Sequence, residues 1–123
     1  MLINLSNHPL SSWSPKQRET AYALFGEVVD LPFPPIPADW GHEEVADFAD
    51  GYFDQCRSLL ANSVGETAVH IAGEPVFCFV LAQRLLRVGV RCVSTTTERI
   101  VHIDKDKKVA EFRFERFRDY VLV

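Results

Sequence analysis

The sequence predicts an α/β fold: a three-layer sandwich whose mostly parallel sheet of four strands is followed by a C-terminal antiparallel hairpin. Two observations predict it. Short apolar runs alternate with segments of helical periodicity, and strands that alternate with helices form parallel sheets through right-handed crossovers. The chain has 123 residues, of which 47% are hydrophobic and 24% charged, enough for one core and too few for two. We therefore expect residues 1–123 to form a single domain.

The first half predicts two strands and two helices. Ser14 followed by Pro15 is typical of a helix start, and Gly26 is suited to closing that helix. Four of the seven prolines fall in residues 32–37, which predicts a stiff, extended crossover loop. The predicted elements are, in order, a strand at 2–5, a helix from Ser14 to Gly26, a strand at 27–31 and a helix from His42 to about Ala61.

The second half predicts two further parallel strands, a helix and the hairpin. Residues 67–72 show little alternation of polar and apolar side chains, as expected for a strand covered on both faces. A polar turn at residues 104–108 separates two strand-like segments. The predicted elements are a strand at 67–72, a helix at 75–88, a strand at 90–94 and hairpin strands at 100–103 and 109–117.

Three loops of this predicted sheet carry polar residues. One helix on each face makes the first and third strands neighbours, at the point where the strand order reverses. Ligands of open α/β sheets bind at such a point, outside the carboxyl ends of the strands. We expect the three loops to meet at one crevice suited to an anionic, nucleotide-like ligand. They are Asn7-His8-Pro9, Gly73-Glu74-Pro75 and Thr95-Thr96-Thr97-Glu98-Arg99.

The first two loops offer a histidine and a helix N-terminus. His8 could titrate near neutral pH or donate to a phosphate. Gly73 precedes a helix whose free amides attract anions. Glu74 could hydrogen-bond a hydroxyl or a base, or transfer a proton. The alternatives are that Asn7 and His8 only form a turn and that Glu74 only stabilises the first turn of its own helix.

The third loop combines hydroxyl groups with a guanidinium group. The hydroxyls of Thr95, Thr96 and Thr97 suit a ribose, and Arg99 can bind a phosphate through two hydrogen bonds. The alternative is that the threonines belong to a strand and that Arg99 pairs with a carboxylate. Arg116 and Arg118 could reach the same crevice or a partner subunit.

Charge and composition exclude several classes of function. The net charge of −4 argues against binding a long nucleic acid, which needs many phosphate contacts. The basic excess lies in residues 99–123, with seven basic and five acidic side chains, and suits a small anion. No apolar stretch is long enough to cross a membrane, and residues 1–5 predict a strand rather than a signal peptide. We expect a cytoplasmic protein with buried, reduced cysteines, no metal site and no cofactor.

The order of these motifs resembles that of a known family. The matching segments are Asn7-His8, Gln17, Ile71-Ala72-Gly73-Glu74, Gly89-Val90, Ser94 to Arg99, and Phe114 to Tyr120. In these segments the chain resembles the small, stand-alone relatives of the CRISPR-associated Rossmann-fold sensor domains, which include the ring nucleases of type III CRISPR systems. The resemblance implies a Rossmann-like fold; residues 32–65 have no counterpart in it.

The resemblance implies that a two-fold homodimer binds a cyclic oligoadenylate, with cyclic tetra-adenylate the favoured ligand, and cleaves it without a metal. In such a reaction a ribose 2′-hydroxyl attacks its own phosphodiester while the protein aligns the groups and stabilises charge. The implied catalytic residues are His8, Glu74 and Arg99. The implied ligand-binding residues are Asn7, Gly73, Thr95, Thr96, Thr97 and Arg99. The alternatives are a non-catalytic nucleotide sensor that signals to a partner, and an α/β protein whose crevice is empty.

Overall fold

A computed structural model describes all of residues 1–123 and contains five strands, three α-helices and one short 3-10 helix. The strands form a single sheet. In chain order the elements are β1 (Leu2–Ser6), the 3-10 helix (Leu10–Ser12), α1 (Pro15–Phe25), β2 (Val28–Asp30), α2 (His42–Leu60), β3 (Ala68–Ala72), α3 (Pro75–Arg87), β4 (Cys92–Asp104) and β5 (Lys107–Asp119). No helix is both long and apolar enough to span a membrane.

The strand order is β2-β1-β3-β4-β5. The first four strands pair in parallel, and β4 pairs with β5 antiparallel. β1 and β3 lie side by side, with Asn4 opposite His70, so the predicted reversal point is confirmed. The mostly parallel sheet with an antiparallel edge is likewise confirmed, whereas the number of strands is five rather than four plus a separate hairpin.

The prediction of a loop at Thr95 to Arg99 is wrong. β4 runs without a break from Cys92 to Asp104, so the predicted fourth strand and the first hairpin strand are one element. The threonines and Arg99 pair with β5 along its length. The physical reason is that these β-branched side chains favour an extended backbone and that β5 supplies hydrogen-bond partners for the whole segment.

Two hydrophobic clusters lie on opposite faces of the sheet, which gives three layers. One cluster joins buried residues of α2 and α3, such as Val45, Phe77 and Leu81, to Ile3 and Ile71. The other joins Ala21 and Phe25 of α1 to Leu2, Ala68, Val93, Phe114 and Phe117. Helix α1 therefore covers one face of the sheet, and α2 with α3 covers the other.

A bulge in β5 determines which aromatic side chains reach the α1 face. Thr96 pairs with Arg116 but Thr97 pairs with Phe114, so Glu115 is the extra residue. Side chains three residues apart on a regular strand point to opposite faces. Because of the bulge, Phe114 and Phe117 are both buried against α1, with ring centroids 5.1 Å apart.

Beyond the parallel strands, β4 and β5 continue as a two-stranded ribbon, residues 97–113, with no helix against it. Its three most exposed large apolar side chains lie on one face, the face that α1 covers nearer the core. They are Val101, Ile103 and Phe112, with 47%, 73% and 65% of their surface exposed. Phe112 is opposite Arg99 in the register.

Gly73 is where the proline-rich loop meets the start of α3. A Cβ atom at this position would overlap the ring of Phe33, which packs edge-on against Phe77 with centroids 5.2 Å apart. The absence of a side chain at Gly73 therefore lets the loop of residues 31–41 close over the buried face of α3.

We expect Gly73→Ala to destabilise the fold by about 1–3 kcal/mol, because Phe33 must leave its position against Phe77. Gly51→Ala is the matched control: Gly51 lies within α2 and a Cβ there meets nothing within 4 Å, so this change should stabilise by about 0.5–1 kcal/mol. Chemical denaturation of both variants measures the difference. Equal stability of the two variants would show that Phe33 moves aside freely.

Candidate functional site

A crevice of about 530 Å³ lies where β1 and β3 end and β4 continues into the ribbon. One wall is the start of α1 with the preceding Trp13, and the other wall is the ribbon at residues 111–114. His8 follows β1, Ala72 ends β3 and Thr95 lies on β4; all three line the crevice. The exits of strands one, three and four therefore share one crevice, as the sequence predicted.

The crevice brings together three of the residues singled out from the sequence. They are His8, which is exposed, Thr95, which is half-buried, and Thr97, which is exposed. The carbonyl oxygen of His8 accepts hydrogen bonds from Trp13 Nε1 at 2.9 Å and Asn4 Nδ2 at 2.8 Å. These bonds fix the backbone from which the His8 imidazole extends.

Asn7, Gly73 and Glu74 do not line the crevice. Asn7 lines a separate cavity of about 270 Å³ beside Asp30 and Phe33. The carboxylate of Glu74 caps α3, accepting from the backbone amides of Val76 and Phe77 at 3.1 and 2.7 Å. Because Glu74 occupies these amides and Phe33 covers Gly73, this helix N-terminus has no free amides of the kind that the sequence interpretation required. The alternative, that Glu74 stabilises its own helix, is confirmed.

Thr96 and Arg99 also lie outside the crevice lining. The hydroxyl oxygen of Thr96 donates to the carbonyl of Arg116 and accepts from its amide, both at 3.2 Å. It is therefore used in the β4–β5 pairing. Arg99 is exposed on the ribbon opposite Phe112, and no carboxylate lies within ion-pair distance of it.

The start of α1 adds a cation and a polar side chain to the crevice. Ser14 caps the helix by accepting from the amide of Gln17 at 3.3 Å, and Lys16 and Gln17 line the crevice. Lys16 approaches Glu115, the bulge residue, at 3.9 Å, and Arg113 pairs with Glu111 at 3.3 Å. Both pairs are largely exposed, so these cations remain available to an anionic ligand.

A chain of hydrogen bonds joins β2, β1 and β3; it is buried at Asn4, Ser6 and His70 and exposed at Asp30. Asn4 Nδ2 donates to the carboxylate of Asp30 at 2.9 Å. Asn4 Oδ1 accepts from Ser6 Oγ at 2.7 Å and lies 2.9 Å from His70 Nδ1. Asp30 also accepts from the amide of Leu10 at 3.1 Å. The sequence interpretation missed Asn4, Asp30 and His70.

His70 carries the one buried side-chain polar atom that has no hydrogen-bond partner. Only 2% of its surface is exposed, and Nε2 has no hydrogen-bond partner. The imidazole is edge-to-face with Trp13 and with Phe117, at centroid distances of 5.6 and 5.9 Å. Burial, and to a lesser extent the nearby His8, lowers the pKa of His70 from 6.5 to about 4. The side chain is therefore neutral at physiological pH.

The three cysteines take no part in this site. All are buried and unpaired. Burial raises the pKa of Cys56 and of Cys92 to about 12 and that of Cys78 to about 11, so the thiols stay protonated at neutral pH. No three His, Cys, Asp or Glu side chains are grouped to hold a metal ion.

Comparison with known proteins identifies a family. Residues 1–118 match the sequence profile of the Uncharacterized protein MJ1673 family. The chain belongs to this family. The match includes the whole crevice and the hydrogen-bond chain that joins β2, β1 and β3. No curated protein and no solved structure matches the chain.

One signal in the sequence points to the residues that were missed. Asn4 and His70 each interrupt an apolar run, Leu2-Ile3-Asn4-Leu5 and Ala68-Val69-His70-Ile71. A polar residue inside a strand that is buried on both faces must find a hydrogen-bond partner there. The parallel alignment of the two runs places these residues opposite each other.

We expect the stability of the protein to fall as the pH decreases from 6.5 towards 4. The pKa of His70 is about 4 in the fold, against an ordinary value of 6.5 for histidine; protonation therefore favours unfolding in this range. The full contribution of this pKa difference to the free energy of unfolding is about 3 kcal/mol. It is present above pH 6.5 and is lost as the pH falls towards 4. Urea denaturation of the wild type and of His70→Phe at several pH values isolates it.

His42→Phe is the control for this measurement, since His42 is exposed at the start of α2. The stability of the control should keep the wild-type dependence on pH, whereas His70→Phe should lose the histidine component. A variant at His70 with an unchanged dependence would show that this histidine titrates normally.

Proposed function

We propose that the protein binds a cyclic oligoadenylate, cyclic tetra-adenylate in particular, in the crevice and cleaves it by metal-independent attack of a ribose 2′-hydroxyl. Its role would be to switch off type III CRISPR signalling. The observation that carries the proposal is the joint presence, at the exits of three strands, of a helix N-terminus, two cations, several hydroxyls and exposed aromatic surface. In this proposal the fold is Rossmann-like.

The α1 side of the crevice suits phosphate. The dipole of a helix attracts anions to its N-terminus, and Lys16 adds a full positive charge there. Ser14 already accepts from the amide of Gln17, so the charge of Lys16 is the main attraction. The lining contains Lys16, Arg113 and Glu111 as its charged groups at neutral pH, apart from the histidines. The local balance is thus positive although the chain as a whole carries −4.

The ribbon side suits a nucleobase and a ribose. Phe112 lines the crevice with 65% of its surface exposed, and aromatic side chains stack on bases. The hydroxyls of Thr95 and Thr97 lie between this wall and the strand exits. Arg99 is opposite Phe112, so we place its guanidinium against a phosphate of a ring that extends along the ribbon.

In the proposed reaction the 2′-oxygen forms a bond to the adjacent phosphorus and the bond from phosphorus to the 5′-oxygen breaks. The departing 5′-oxygen takes a proton from solvent, and a linear product with a 2′,3′-cyclic phosphate and a 5′-hydroxyl results. His8 is the exposed imidazole of the crevice, and we assign to it the proton that leaves the 2′-hydroxyl. Lys16 and Arg99 would stabilise charge on the phosphate. Glu74 has no part in this scheme, because both of its oxygens cap α3.

The second candidate is a sensor that binds the same ligand without cleaving it and signals to a partner. The exposed ribbon favours it: Val101, Ile103 and Phe112 form an apolar face continuous with the crevice. In either case we propose a cytoplasmic homodimer in which two crevices face one two-fold symmetric ring, with the ribbons at the interface.

Incubation of the purified protein with cyclic tetra-adenylate in the presence of a chelator tests the enzymatic proposal. We expect linear fragments that end in a 2′,3′-cyclic phosphate, detected by mass spectrometry. Intact ligand together with a thermal shift would support the sensor. If the protein neither cleaves nor binds cyclic tetra-adenylate, both the enzyme and the sensor are excluded.

We expect Lys16→Ala to weaken binding of cyclic tetra-adenylate by about 1.5–3 kcal/mol, because it removes a hydrogen bond between charged groups. Arg99→Ala should weaken it by a similar amount. Arg57→Ala, at an exposed position of α2 on the opposite face of the sheet, is the matched control and should bind as the wild type does. Calorimetric titration measures all three. Equal losses in all three variants would indicate attraction by overall charge rather than a crevice contact.

A further inference from the structure

We propose that His70 recognises the base of the ligand: its Nε2 accepts a hydrogen bond from the exocyclic amino group of adenine. This inference rests on the proposed function, because it assumes that the crevice holds an adenine nucleotide. It adds a specificity-determining residue that lines the crevice and was not among the residues singled out from the sequence.

The hydrogen-bond chain that joins β2, β1 and β3 fixes which nitrogen of His70 carries the proton. The carboxylate of Asp30 only accepts, so the Asn4 atom that lies 2.9 Å from it is the amide nitrogen. That nitrogen also donates to the carbonyl of His8. Asn4 therefore turns its oxygen towards His70, and this oxygen can only accept.

His70 must then donate through Nδ1, which lies 2.9 Å from Asn4 Oδ1. In a neutral imidazole with the proton on Nδ1, Nε2 bears a lone pair and no hydrogen. Asp30 and Asn4 thus set His70 as a fixed acceptor. A ligand group that pairs with it must be a donor.

Nε2 is the buried polar side-chain atom that the fold leaves without a partner. Such an atom destabilises the protein unless a ligand satisfies it. The rings against the imidazole are Trp13 and Phe117, of which Trp13 lines the crevice and Phe117 does not. His70 itself also lines the crevice. Because Nε2 is buried, a base reaches it only if a neighbouring side chain moves; in this proposal that side chain is Trp13, which gives up its hydrogen bond to the His8 carbonyl.

The environment favours recognition over proton abstraction. Burial keeps the pKa of His70 near 4, which makes it a weak base for a ribose hydroxyl. A weakly basic acceptor in an aromatic pocket suits an amino group, since the N–H donates without losing its proton. Adenine presents this donor at its 6-position, where hypoxanthine and guanine present an oxygen acceptor. Two acceptors facing each other repel, so the site selects against the oxo bases.

The test compares three cyclic tetranucleotides that differ only at the 6-position of the base: adenine, purine without the amino group, and hypoxanthine. We expect the wild type to bind the cyclic tetranucleotide that contains adenine at least about tenfold more tightly than the other two cyclic tetranucleotides. His70→Phe should bind all three within about threefold of one another. His42→Phe, altered at an exposed histidine, should keep the wild-type preference.

A measurement on the wild type makes the outcome independent of variant folding. The ¹⁵N chemical shifts of His70 should show an unprotonated Nε2 in the free protein. The chemical shift of Nε2 should change on addition of the cyclic tetranucleotide that contains adenine, and not on addition of the one that contains purine. Emission from Trp13 in a Trp40→Phe background should change on binding of either ring.

The outcomes separate the two proposals. If the wild type binds no ring, the proposed function fails and the inference fails with it. If the wild type binds all three rings equally, or if Nε2 carries the proton, the role of His70 is wrong while the proposed function stands. Preference for adenine that disappears only in His70→Phe supports both.

Discussion

The side-chain amide of Asn4 is the contact on which the carboxyl edge of the sheet depends. It donates to Asp30, the last residue of β2, and to the carbonyl of His8 after β1, and it accepts from His70 of β3. Asn4 and His70 are 66 residues apart in sequence, so the amide joins strands that the chain itself connects only through two helices. An apolar residue at this position would leave His70 Nδ1 without a partner and would remove one hydrogen bond from Asp30 and one from the carbonyl of His8.

Much of the fold could be predicted because local signals and the parallel topology agree. The cap at Ser14, the closing Gly26 with its φ of 79° and the proline-rich loop each have a local cause. The continuous β4 could not be predicted in the same way. Its polar residues Thr95 to Glu98 resemble a loop by composition, and only the pairing with β5 makes them a strand. Local sequence patterns do not predict the bulge at Glu115 either. The one indication of it is that two large aromatic residues of the strand, Phe114 and Phe117, are three residues apart rather than two or four.

The position of the candidate site could be predicted from the sequence, but only some of the residues that line it could. The exits of three strands meet as expected, which brings His8, Thr95 and Thr97 together. Glu74 and Gly73 differ because a carboxylate at a helix start can satisfy the amides itself, and nothing in the sequence shows that Phe33 will cover the turn. His70 and Asn4 were overlooked because each appears alone; their importance comes from the register that sets them side by side.

The two borders of the sheet differ in how they could meet another chain. β2 has only three residues and leads into prolines that lack an amide hydrogen, which closes this border to further strands. β5 is thirteen residues long and has strand neighbours on one side only. Glu111, Arg113, Glu115, Arg116 and Arg118 give it alternating charge, and its bulge bends the backbone. Growth of the sheet by strand addition is therefore confined to one border, where charge and curvature oppose indiscriminate self-association.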